Sequence, residues 1–138
     1  MALYAIGDLH LSLTADKSME VFGPAWEHYT ERIGESLSRL TAGDVLVLAG
    51  DTSWGIDLSQ SLEDFRFIDR LPGKKLLVKG NHDYWWTTAS KMRRFFQDNG
   101  LTTIDILHNN CHFYGDWAVC GTRGWFYEEE QSGHNEKV

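Results

Sequence analysis

Three short apolar runs in this sequence each end in a glycine followed by a side chain that can bind a metal. Leu76-Leu77-Val78 runs into Lys79-Gly80-Asn81-His82-Asp83, Leu3-Tyr4-Ala5-Ile6 into Gly7-Asp8-Leu9-His10, and Val45-Leu46-Val47-Leu48 into Ala49-Gly50-Asp51. Singly, Gly-Asp or Gly-Asn is an ordinary turn or helix cap. Three such junctions make a candidate site. Asp8 and His10 are two residues apart, and in an extended segment residues i and i+2 project to the same side, within reach of one ion. Asp51 has two oxygens and can bridge two ions, while Asn81 offers a neutral carbonyl oxygen. Mixed carboxylate, imidazole and amide ligands suit Mn, Fe or Zn better than Ca, and lack the thiolates of a structural zinc site. Two ions about 3.5–4 Å apart lower the pKa of a shared water and clamp both oxygens of an in-line phosphoryl displacement. His82, beside Asn81 but free of metal, is placed to donate a proton to a leaving oxygen or to hold a phosphate oxygen. Asp83 or another carboxylate would set its tautomer.

Positioning such groups requires elements in regular alternation. After the first strand, a Gly23-Pro24 turn precedes Trp26, Tyr29, Ile33, Leu37 and Leu40, which recur at spacings of three and four and predict an amphipathic helix. The second strand is Val45 to Leu48. A second helix is expected from Leu58 or Ser61 to Leu71, stopped by Pro72-Gly73. The third strand runs from Lys75 to Val78, a third helix from Thr87 or Thr88 to Asn99, and a fourth strand from Ile104 to Leu107. Cys111–Tyr114 and Trp117–Gly121 read as a hairpin around Gly115-Asp116, a pair suited to a type II′ turn. Strand-helix alternation is the pattern of a parallel sheet, and right-handed crossovers bring the motif-bearing strand ends to one edge. Ligands bind at that edge in open α/β sheets.

The 138 residues suit one domain. A formal charge of −7 argues against a basic nucleic-acid surface, so a nucleic-acid partner is disfavoured. No apolar run has the length of a membrane span and no signal segment opens the chain, so a cytoplasmic location is expected.

Gly7-Asp8-Leu9-His10, Gly50-Asp51 and Gly80-Asn81-His82-Asp83, in this order and each after a strand, resemble the first three motifs of the calcineurin-like metallophosphoesterases. The resemblance implies an α/β, αββα sandwich and a dinuclear centre of Mn, Fe or Zn. It assigns Asp8 and His10 to the first metal, Asp51 to the bridge, Asn81 to the second metal and His82 to catalysis. The implied activity is phosphoester hydrolysis by a metal-activated hydroxide. The family's later Gly-His-x-His motif is not matched: Gly133-His134-Asn135-Glu136 carries Glu in place of the second His. Residues 1–138 therefore read as the first half of the family domain, C-terminally truncated, with a parallel βαβαβ sheet plus a hairpin. That reading predicts a weak second metal position, impaired activity, and an exposed sheet edge that favours a homodimer. The competing reading is a non-catalytic scaffold of the same fold.

Other residues carry plainer expectations. His28 belongs to the first helix, and His108 and His112 match no family motif. Trp54, Trp85 and Trp86 either wall a substrate cleft or pack against neighbouring loops. Lys79 and Arg123 suit turn or surface roles, with contact to a substrate phosphate as the alternative. Glu128–Glu130 is a solvated run. Two cysteines provide neither a disulfide framework nor a Cys-based zinc site. The hairpin register would set Cys111 opposite Cys120, near enough to bond, but a reducing cytosol predicts free thiols.

Overall fold

The computed structural model describes residues 1–124; the acidic run and Gly133-His134-Asn135-Glu136 lie outside them. The chain forms β1 (Leu3–Ile6), α1 (Tyr29–Leu37), β2 (Val45–Leu48), α2 (Leu62–Arg70), β3 (Lys74–Leu77), α3 (Ala89–Asp98), β4 (Ile104–Ile106), β5 (Asn110–Tyr114) and β6 (Trp117–Gly121). The first four strands make one parallel sheet in the order β1-β2-β3-β4, and β5 pairs antiparallel with β6. This is the α/β architecture the alternating pattern predicts.

Sequential strand order puts the crossover helices on one face of the sheet. Leu46, Leu48 and Leu77 point to that face and pack with Leu37, Phe65, Ile68, Met92 and Phe96 from the helices. The alternate strand positions, Val45 and Leu76 with Val47 and Val78, meet Tyr114 and Val119 of the hairpin on the other face. Because successive strand residues point to opposite faces, near-continuous apolar runs are required where both faces are covered. β1 is an outer strand, and its Leu3 and Tyr4 are exposed.

The first helix is shorter than its periodicity suggests. Trp26 ends a 3₁₀ turn over Pro24–Trp26, and His28 sits before α1 with φ +51°, a left-handed conformation that a right-handed helix cannot contain. His28 is thus the residue before the helix rather than a member of it. The break turns Trp26 toward His10, with ring centroids 6.4 Å apart.

The hairpin has the expected register, Tyr114 facing Trp117 and Cys111 facing Cys120. Gly115 takes φ +56°, as the first loop position of a type II′ turn requires. The expectation of free thiols is overturned: Cys111 and Cys120 form a disulfide across this non-hydrogen-bonded pair, where the Cα atoms approach to 4.1 Å. Local pairing geometry decides the bond, against the argument from compartment that was set above it.

Candidate metal centre

The parallel ladder continues past the strand ends and zips the motif loops together. Ala49 N–H donates to Ile6 O (2.8 Å), Asp8 N–H to Gly50 O (3.0 Å), His10 N–H to Asp51 O (2.9 Å) and Leu11 N–H to Thr52 O (2.9 Å). Tyr29 of α1 donates its hydroxyl to His10 O at 2.8 Å. The loops of β1 and β2 therefore advance side by side, and their side chains converge.

The convergence is not the extended i, i+2 arrangement expected from spacing. Asp8, His10 and Asp51 have φ of +58°, +46° and +52°. Non-glycine residues rarely adopt this region, and each such conformation costs roughly 1–3 kcal/mol. Strain of this kind collects where surrounding structure holds a functional side chain in place. Here it turns the three groups toward one another: one ligand atom from each of Asp8, His10 and Asp51 lies within 4.8 Å of the others. Among the described residues, this is the one such cluster of His, Cys, Asp or Glu. His10 Nε2 lies 3.6 Å from Asp8 Oδ1 and 3.8 Å from Asp51 Oδ2. Two carboxylates and an imidazole are a donor set that fits a divalent transition ion.

Glycine is required on both sides of the bridge between β2 and β3. A Cβ on Gly80 would lie 2.1 Å from Asp51 Oδ1, and one on Gly50 would lie 2.9 Å from Gly80 Cα. Only bare backbone lets the Asn81 loop approach Asp51 this closely. Asn81 lines a cavity of about 310 Å³ together with Asp8, Asp51, Lys79 and Arg123. The two cations, expected to serve turns or surface, thus share a wall with the candidate ligands. Burial pulls the Lys79 ammonium below its ordinary pKa, and the neighbouring Arg123 charge acts in the same direction.

His82 is tied to Asp51 twice: its backbone N–H donates to Oδ1 (2.9 Å) and its Nδ1 meets Oδ2 at 2.7 Å. Burial pushes the Asp51 carboxyl upward, but the hydrogen bonds and charge of His82 outweigh it and hold the group below the usual carboxylate range. Asp51 therefore sets the tautomer of His82, with Nδ1–H toward the carboxylate and Nε2 left for other partners.

Asp83, named as a candidate for that task, does something else. It is buried, and its oxygens accept N–H groups of Asp51 (2.9 Å), Thr52 (2.8 Å) and Gly80 (2.7 Å) and the indole N–H of Trp85 (3.0 Å). It fastens the Asp51 loop to the Gly80 loop. Burial nevertheless pushes its carboxyl above the ordinary range against these donors.

Asp64 plays a parallel part and was missed. Its Oδ2 accepts the Ser53 hydroxyl at 2.6 Å and its Oδ1 accepts the Leu13 N–H at 2.9 Å, joining the loops of β1 and β2 from behind. The signal was available: Ser61 and Asp64 share helical spacing with Phe65 and Ile68, so polar groups sit on the inner face of α2.

The remaining candidates separate. Trp85 is buried, Trp86 packs edge-on against His108, and Trp54 lies on the histidines of the site. His112 Nε2 lies 3.0 Å from Ile106 O, away from the cluster.

No curated protein matches the chain. Among solved structures, a protein of unknown function from Aquifex aeolicus, AQ665, superposes with a TM-score of 0.52 at 22% identity; the match covers 86% of this chain and 58% of that one. At that identity the likeness concerns the fold. No helix among the described residues is long and apolar enough to cross a membrane. The model of the calcineurin-like phosphoesterase family matches residues 1–135, and the chain belongs to that family.

Proposed function

We propose that this chain is a metal-dependent phosphoester hydrolase, with Asp8, His10, Asp51 and Asn81 as metal ligands and His82 as the proton donor. The observation that carries the reading is the convergence of Asp8, His10 and Asp51, three strained residues whose ligand atoms lie within 4.8 Å of one another. Mn, Fe or Zn ions suit the donor set, and when bound they supply Lewis acidity and a nucleophile active at neutral pH. The chain's own residues do the rest. Asp51 holds His82 Nδ1–H, so that the imidazolium form of His82 presents Nε2–H to the departing alcohol oxygen, and giving up that proton leaves the neutral Nδ1–H tautomer. Lys79 and Arg123, on the cavity wall shared with Asp8 and Asn81, offer charge to the non-bridging oxygens of a phosphoryl group.

Asp51 has competing engagements, because both of its carboxylate oxygens hold His82, Oδ1 through the backbone N–H and Oδ2 through Nδ1. Four candidate ligands are also few for two ions, so the second position should fill weakly. Mn²⁺ titration by calorimetry, with hydrolysis of a generic phosphomonoester and diester, tests the proposal. Binding with turnover, both lost in Asp8→Asn, is expected. Neither binding nor turnover in the wild-type chain would favour a scaffold of the same fold.

A further inference from the structure

The hydrolytic reading gives no task to Trp54, yet its indole touches both histidines of the site. Its ring centroid lies 5.1 Å from that of His10 at an interplanar angle of 25°, a stacked contact. The same indole lies 5.1 Å from His82 at 52°. The two imidazoles are 6.1 Å apart and both face Asp51 Oδ2, His82 Nδ1 at 2.7 Å and His10 Nε2 at 3.8 Å; the indole is the apolar surface they share. We propose that Trp54 is a positioning residue: one aromatic plate that fixes the ring angles of His10 and His82 so that candidate ligand and proton donor move together.

Backbone geometry supports this more firmly than the contacts alone. Trp54 N–H donates to Leu11 O at 2.9 Å, and Leu11 N–H donates to Thr52 O at 2.9 Å. Leu11 and Ser53 form a parallel bridge, so the Trp54 backbone is registered against the residue that follows His10. Ser53, immediately before it, is buried and bonded through its hydroxyl to Asp64 of α2. The indole is thus carried by a segment pinned from both sides. Lys17 Nζ approaches the ring to 5.3 Å, a cation–π contact that restrains it further. Hydrogen bonds fix where an imidazole nitrogen lies but leave the ring free to rock about that bond. A stacked plate removes the rocking, and proton transfer is sensitive to that angle.

This inference rests on the hydrolytic reading, and its test separates the two. Trp54→Ala and Trp54→Phe would be compared with wild type in the full chain. The first readout needs no metal: ring-proton NMR shifts of His10 and His82, which the indole should displace upfield. Trp54→Ala should abolish the displacement and Trp54→Phe should keep part of it. The second is Mn²⁺ affinity, expected to weaken roughly 2- to 13-fold in Trp54→Ala, the range of one aromatic pair, with recovery in Trp54→Phe. The third compares an unactivated phenyl phosphate with an activated 4-nitrophenyl phosphate. Trp54→Ala should slow the phenyl ester more, because that leaving group needs the proton from His82.

Unchanged histidine shifts in Trp54→Ala would overturn the proposal, as would equal losses on both esters. If Trp54→Ala does not fold, Trp54→Phe decides: histidine shifts identical to wild type mean that the indole is not felt by the rings. Absence of Mn²⁺ binding in the wild type would sink the metal reading, while the NMR shifts would still decide whether the indole fixes the two imidazoles.

Discussion

Replacing Asp83 by Asn should loosen the site without touching a candidate ligand. Its Oδ2 accepts Asp51 N–H and Gly80 N–H, and its Oδ1 accepts Thr52 N–H, the Trp85 indole N–H and, at a longer 3.4 Å, Ser53 N–H. An asparagine keeps the shape but converts one oxygen into an NH₂ group, which is a donor. Whichever way the amide turns, at least two well-placed buried donors lose their acceptor and meet another donor. Each buried unsatisfied donor costs about 1–3 kcal/mol, so the expected loss is about 2–6 kcal/mol. A domain of this kind has about 5–15 kcal/mol in total. At ~4 °C per kcal/mol, the unfolding midpoint should fall by roughly 8–24 °C. Thermal unfolding followed by far-UV circular dichroism measures this directly. Mn²⁺ affinity should fall with it, because the carboxylate holds the Asp51 and Gly80 loops in contact. An Asp83→Asn protein melting within about 2 °C of wild type would refute the reasoning, since a buried acceptor of five donors cannot be that replaceable.

Other substitutions probe the same site from different sides. His82→Ala should lower kcat by roughly 10²–10⁴-fold while Mn²⁺ affinity holds or rises, because Asp51 Oδ2 is released; calorimetry beside steady-state kinetics separates the two. Gly80→Ala would bring a methyl within 2.2 Å of Asp51 N, forcing that loop to move, and Mn²⁺ affinity should fall roughly 10–100-fold. A pH effect is expected from Lys75, buried under the C-terminal end of α2 with its Nζ donating to the carbonyls of Leu71 and Gly73. Burial lowers its pKa from 10.5 to about 8, so between those values the unfolded chain binds the extra proton and stability rises with pH. Urea unfolding at pH 8 and pH 10 should show that rise in wild type and not in Lys75→Met.

The sheet, its strand order and the edge carrying the site were readable because burial on both faces demands continuous apolar runs. Val45–Leu48 appears as a strand with the predicted bounds, β3 is shifted by one residue at both ends to Lys74–Leu77, and β4 stops one residue before Leu107. Less legible was the start of α1, since the periodicity through Trp26 gives no sign of a left-handed His28. The disulfide was misjudged for a related reason: the register that set Cys111 against Cys120 was foreseen, but a general argument about compartment was given priority.

By itself the sequence determined which side chains could do chemistry and that three strand ends would present them together. Backbone conformation is a property of the assembled loops, so only the tertiary structure decided that Asp8, His10 and Asp51 converge through left-handed backbone. Assembly also decided that Asp51, not Asp83, orients His82, because partners 31 residues apart meet only when the β2 and β3 loops pack glycine to backbone.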